Sequence, residues 1–237
     1  MTLKSMTTPA SPFPRTIVFD LDGTLVDTAP DVTRAVNYAL RLAGCRPVAQ
    51  TQVRALLGRG SKALIATALE SVGRPAQCDS EIGALLRPFL EFYGANIALE
   101  SQPFPGAVEA LSVLRRGGAR MAICTNKFEA MSRKLIAALR LEDYFDANLG
   151  GDSLPVRKPD PGHLLAAIAQ AGGEPNSAVL IGDSRADAGA AKAAGVPVVL
   201  VGFGYSDVPV ETLEADALID HFSQLPGVLA ALCRSNA

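Results

Sequence analysis

The chain has 237 residues, with 22 basic against 24 acidic side chains, a formal net charge of −2 and a hydrophobic fraction of 49%. This is the balance of an ordinary core-forming protein of one large domain or two smaller ones, and it lacks the basic stripe of a nucleic-acid binder. The four cysteines, Cys45, Cys78, Cys124 and Cys233, form no Cys-x-x-Cys pair, which argues against a zinc site or a disulfide framework and for reduced thiols.

Residues 1–14 are polar and proline-containing, without the apolar segment of a signal peptide. They read as the disordered leader of a cytoplasmic protein. No apolar run approaches the roughly 20 residues needed to span a bilayer. Residues 16–19 are apolar and β-branched, the pattern of a buried strand. Val32, Ala35, Val36, Ala39, Leu40 and Ala43 then fall at helical spacing, and Gly44 stops the helix. Helical patterns follow over 51–57, 61–72 and 79–92, with no strand between 31 and 98. After a proline-rich stretch, a helix runs from about 106 to the Gly117-Gly118 stop. From there strands and helices alternate: strand 121–124, helix 128–139, weak strand 147–149, helix 161–171, strand 178–181, helix 185–194, strand 197–201, a last strand 217–219 and a C-terminal helix from about 223. Such alternation predicts an α/β fold, a Rossmann-like parallel sheet with helices on both faces. The helical block after the first strand reads as an insertion. The expected division is an α/β core of 15–29 and 101–237 with an all-helical cap domain of 30–100.

The polar residues are informative through where they fall. Asp20, Thr125 and Asp183 each sit at the carboxyl end of a predicted apolar strand, where open α/β sheets bind ligands. Lys158 follows the weak strand on the same side. Asp20 and Asp22 are one residue apart and repel one another near a low-dielectric interior. Hard carboxylate oxygens with room for water suit Mg²⁺, and a bound divalent ion keeps such carboxylates ionised. A phosphate group is the natural substrate of that site, because the metal and Lys158 offset the repulsion between a phosphate dianion and an attacking carboxylate.

The stretches "DLDGTLVD", "CTNK", "RKPDP" and "GDSRAD", in this order and spacing, resemble the four motifs of the haloacid dehalogenase-like hydrolase superfamily over residues 16–205. Within it, "TNK", the "GGDSLPVRKPDP" loop and "GDSRADAGAAKAAGVP" look most like the phosphoglycolate phosphatases. The resemblance implies a Mg²⁺-dependent phosphoric monoester hydrolase acting on 2-phosphoglycolate through an aspartyl-phosphate. It makes Asp20 the nucleophile and Asp22 the general acid and base. Asp22 would also offer its backbone carbonyl to the metal. Thr125 and the backbone of Asn126 would bind phosphoryl oxygens, Lys158 would hold nucleophile and phosphoryl group, Asp183 would ligate Mg²⁺, and Asp187 would support the metal's shell. Hydrolysis of another small phosphoester or of pyrophosphate, and sugar phosphomutase activity, use the same core. A dehalogenase or a non-catalytic binding module fits less well, since every metal and acid aspartate is present.

Other residues have weaker readings. Asp27 reads as a helix cap or hinge anchor. "LLGRGSKAL" lacks the Walker spacing, and its glycines either stop and restart a helix or present Arg59 to a substrate carboxylate, with Lys62 the next candidate. His163 and His221 are isolated and read as helix or surface residues.

Overall fold

The computed structural model describes residues 13–235. The apolar runs form strands Thr16–Phe19 (β1), Val26–Asp27 (β2), Gln102–Pro103 (β3), Arg120–Cys124 (β4), Ala147–Leu149 (β5), Ala178–Gly182 (β6), Val198–Val201 (β7) and Ala217–Ile219 (β8). The helices are Ala29–Leu42 (α1), Gln50–Arg54 (α2), Ser61–Ser71 (α3), Asp79–Ala95 (α4), Ala107–Arg116 (α5), Glu129–Ala138 (α6), Pro161–Gln170 (α7), Arg185–Ala194 (α8) and Leu225–Ser235 (α9).

Six strands make one sheet in the order β5-β4-β1-β6-β7-β8, and every pairing is parallel. β1 lies between β4 and β6, where the strand order reverses, so the crevice beyond its carboxyl end is the place to look for a ligand. Alternate residues feed opposite faces. Ile17, Phe19, Met121, Ile123, Val179 and Ile181 belong to one apolar cluster, while Val18, Ala122, Cys124 and Leu180 belong to the other. Burial on both faces is why these strands read as unbroken apolar runs.

The sequence pattern did not disclose β2 and β3. They pair antiparallel, Val26 opposite Pro103 and Asp27 opposite Gln102, and the helices α1–α4 lie between them in the chain. Asp31 ties the start of α1 to the segment that leads into β3. It is buried, and its Oδ2 accepts hydrogen bonds from Glu100 N (3.0 Å), Ser101 N (2.8 Å) and Ser101 Oγ (2.8 Å). Asp27 acts as an anchor at the same place: its Oδ1 accepts from the Ala29 N–H (3.3 Å) and from the Tyr205 hydroxyl.

Most of the expected leader, residues 1–12, lies outside the described residues. Its last two residues are packed: Pro14 is buried, and Phe13 lies so close to Gly117 that a β-carbon there would sit 2.7 Å from the ring. Among the described residues no helix is long and apolar enough to cross a membrane.

Candidate active site

β1 delivers Asp20 to the carboxyl edge of the sheet, and the Asp20 N–H continues the β1–β6 ladder by donating to Ile181 O (2.9 Å). The chain then turns tightly: Leu25 N and Val26 N both donate to Leu21 O (3.1 and 3.0 Å). Gly23 in this turn has φ +84°, and a β-carbon on it would lie 2.4 Å from Asp183 Oδ2. Only glycine lets the turn approach Asp183 this closely.

Asp20, Asp183 and Asp187 converge. One carboxylate oxygen of each lies within 4.8 Å of the other two, and all three residues are buried. Lys158 Nζ sits 3.0 Å from Asp20 Oδ1 and donates to Asp187 Oδ1 at 2.6 Å. The second Asp187 oxygen accepts from Ser184 Oγ (2.6 Å) and Ser184 N (3.1 Å), the capping box of α8. Asp183 accepts from Thr24 Oγ1 (3.1 Å) and Tyr205 N (2.6 Å).

One lysine does not neutralise three carboxylates. Burial pushes the Asp20 carboxyl up from its ordinary 3.8 to about 6; Lys158 opposes the rise, and Asp187 and Asp22 add to it. Burial, then Asp187 and Asp20, holds Asp183 well above the usual range. For Lys158, burial works against the charge, but Asp187 and Asp20 outweigh it and hold the ammonium. Asp20 Oδ1 makes no aligned hydrogen bond. The donor set is therefore hard, anionic, under-compensated and partly unsatisfied, which fits a small divalent cation with oxygen preference.

Asp22 is held separately. Both its oxygens accept from Lys127 Nζ, at 2.9 and 3.0 Å, so its carboxylate is turned to a different cation from Asp20. Lys127 Nζ also lies over the Tyr93 ring of α4, 4.5 Å from the centroid. Thr125 is buried at the end of β4, its N–H donating to Leu149 O (3.0 Å) and its Oγ1 accepting from Lys127 N (3.3 Å). Asn126 Nδ2 donates to Lys158 O (3.0 Å) and to Gly58 O (2.9 Å), a direct tie between the sheet edge and the helical block.

The expected residues Asp20, Asp22, Thr125 and Asn126 line one inner cavity with the helical block. Lys158, Asn126 and Arg59 line an outer crevice beside it, with Arg157, Arg185 and Asp207. Arg59 does not line the inner cavity with Asp20. Its side chain is 53% exposed and pairs with Asp207 at 2.7 Å, and Arg185 pairs with the other Asp207 oxygen at 3.3 Å. Lys62 is exposed. His163 is buried in α7, Nε2 3.0 Å from Gly150 O; burial first, and Lys158 second, lower its pKa to about 4 and leave it neutral. His221 caps a turn through Ser223 N (3.1 Å).

Sequence reading missed the part of Lys127. Its position in "CTNK", two residues past Thr125, was the available signal.

The model of the haloacid dehalogenase-like hydrolase family matches residues 14–195. The phosphoglycolate phosphatase of Caulobacter vibrioides is 46% identical over 220 residues, covering 93% of this chain and 92% of that protein. A solved structure of a predicted phosphoglycolate phosphatase from Haemophilus somnus superposes with TM-score 0.84 at 29% identity, covering 94% of this chain and 99% of that one. CbbY from Rhodobacter sphaeroides, solved in complex with phosphate, gives TM-score 0.78 at 28% identity over 91% of this chain and 98% of its own. With its parallel sheet, its acidic cluster at the carboxyl edge and these matches, the chain belongs to the haloacid dehalogenase-like hydrolase family.

Proposed function

We propose that this chain is a Mg²⁺-dependent phosphatase that hydrolyses 2-phosphoglycolate to glycolate and phosphate through an aspartyl-phosphate on Asp20. The observation that carries the chemistry is the division of the two carboxylates: Asp20 faces Lys158 and the acidic cluster, and Asp22 is held apart by Lys127. The substrate rests on relatives that carry the name phosphoglycolate phosphatase at 39–46% identity.

In this reading Asp20 attacks phosphorus, the bond to the leaving alkoxide oxygen breaks, and Asp22 gives that oxygen a proton. Asp22 then takes a proton from water, the hydroxide attacks the phosphorus, and inorganic phosphate leaves with Asp20 restored as carboxylate. Asp20, Asp183 and the backbone carbonyl of Asp22 would hold Mg²⁺, with Asp187 fixing Lys158 and the α8 terminus behind them. When bound, the metal supplies the positive charge that lets two anions meet. Lys158 steadies the nucleophile and the transferring group. Thr125 and the Asn126 backbone orient the phosphoryl oxygens. Residues 30–100 serve as a cap over 15–29 and 101–237, with Asn126 and the Arg59–Asp207 pair among its contacts to the core. All four cysteines are free thiols, which suits a cytoplasmic location.

The test is phosphate release from a panel of phosphoglycolate, sugar phosphates, pyrophosphate and p-nitrophenyl phosphate, with Mg²⁺ and with chelator. Turnover of phosphoglycolate well above the others, abolished by chelator, is expected. Faster turnover of sugar phosphates or pyrophosphate would move the assignment to that substrate.

A further inference from the structure

A substrate as small as phosphoglycolate offers, beyond its phosphate, one methylene and a carboxylate. Selection for it needs a cation near the nucleophile that the phosphoryl group does not already use. The inner cavity holds two acidic side chains, Asp20 and Asp22, and its walls are largely apolar, with Val32, Leu57, Leu64, Phe89, Leu90 and Met131 among them. A carboxylate entering this space leaves water for a low-dielectric wall already carrying negative charge, a steep cost unless a positive group meets it. Of the described residues lining the cavity, Lys127 alone has a positively charged side chain.

The other basic groups nearby stand outside this cavity, Arg157 and Arg185 among the residues of the outer crevice. Lys158 is spanned by Asp20 and Asp187. Arg59 points to Asp207 in the outer crevice. Lys62 is exposed. Resting on the phosphatase reading above, we propose that Lys127 is the specificity-determining residue: its ammonium receives the substrate's carboxylate and so selects small phosphoesters that carry a second anion. An ammonium has three N–H donors, and the two Asp22 oxygens take no more than two of them. Tyr93 comes from α4 and sits beneath Nζ at 4.5 Å, so the helical block helps fix where the cation stands. Selectivity is then assembled only where cap and core meet. Because Lys127 also holds Asp22, the group that reads the carboxylate is the one that sets the proton donor, and an anion-bearing substrate is registered against the acid it needs.

The test compares kcat/KM for phosphoglycolate with that for ethyl phosphate, which replaces the carboxylate by a methyl group. Both are alkyl esters and need the same proton from Asp22, so any damage to Asp22 cancels in the ratio. Lys127→Met should lower the ratio roughly ten- to a hundred-fold, the scale of a lost charge-assisted hydrogen bond. Lys127→Gln keeps amide donors for Asp22 without the charge and should lower it similarly, so either variant that folds serves. Calorimetry gives a second reading without turnover: 3-phosphonopropionate should bind more weakly to the variants, and propylphosphonate should bind as it does to wild type. A wild-type preference for phosphoglycolate that survives both substitutions overturns the role of Lys127 and leaves the substrate reading standing. A ratio that falls in Arg59→Ala but not at Lys127 overturns it in favour of the outer crevice. Wild type that fails to distinguish the two esters removes the substrate reading and this inference together.

Discussion

Asp20 and Asp22 are two positions apart and answer to different cations. Asp20 stands 3.0 Å from Lys158, inside the acidic cluster; Asp22 is gripped through both oxygens by Lys127. Asp20→Asn is expected to abolish turnover while the chain folds, since Lys158 keeps Asp187 as its partner and an amide cannot form the acyl phosphate. Phosphate release near the wild-type rate from the folded variant would end the nucleophile assignment. Asp22→Asn should cost on the order of 10²–10⁴ in rate, the range for a lost general acid or base. The loss should shrink in single-turnover phosphorylation by p-nitrophenyl phosphate, whose leaving group needs no proton. Equal losses with alkyl and nitrophenyl esters would contradict the acid role. At this scale the sequence was most readable for residues with a local address: Asp20, Asp183 and Thr125 each follow a strand end. It was least readable where a partner is remote. Lys127 meets Asp22 across 105 positions, and Arg59 meets Asp207 across 148, so neither pairing is written in any short stretch.

Strands and helices were legible in proportion to how much their residues are buried on a regular period. β1 and β6 are buried throughout, and α8 starts on a Ser184 capping box and ends on Gly195 in the left-handed region, φ +65°. α4 runs through Pro88, which removes one backbone donor. Burial of Phe89 and Tyr93 against the core holds the helix beyond it. β2 and β3 were invisible because two residues carry no period, and their pairing is set by the closing of the insertion. Asp31 does much of that closing. Removing its carboxylate in Asp31→Ala would strand the buried Ser101 N–H and hydroxyl and the Glu100 N–H. Unpaired buried donors cost about 1–3 kcal/mol each, so urea unfolding should show a loss of about 2 kcal/mol or more. A variant as stable as wild type would mean water satisfies those groups and the base of the insertion is held by the β2–β3 ribbon instead.

The whole molecule gathers negative charge at one edge of a sheet and buries it, and the cost of doing so should be measurable. The parallel order that brings Asp20 and Asp183 to the neighbouring carboxyl ends of β1 and β6 is the same feature that made the α/β class readable from alternating elements. What sequence could not give is how far burial and mutual repulsion raise these acids: Asp20 to about 6, Asp183 well above 3.8. In the metal-free protein the folded state therefore binds more protons than the unfolded chain between the two values. Stability then falls as pH rises: the contribution is present below the unfolded value near 3.8 and is lost as pH climbs through about 6. A divalent cation bound to the folded, ionised cluster would offset that loss by mass action. Thermal melts in Mg²⁺ and in chelator should accordingly agree closely near pH 4.5 and separate progressively up to pH 7.5, with Mg²⁺ the more stable. Asp183→Asn removes one of the repelling charges; its amide oxygen can still accept from the Tyr205 N–H, and its Nδ2 would donate to Thr24 Oγ1 in place of the bond now accepted from it. It should raise the melting temperature in chelator at pH 7.5 and erase most of the gain from Mg²⁺. A Mg²⁺ gain that stays constant across this pH range, or an Asp183→Asn protein that melts lower in chelator, would mean that the cluster is compensated from within and that the cation binds elsewhere.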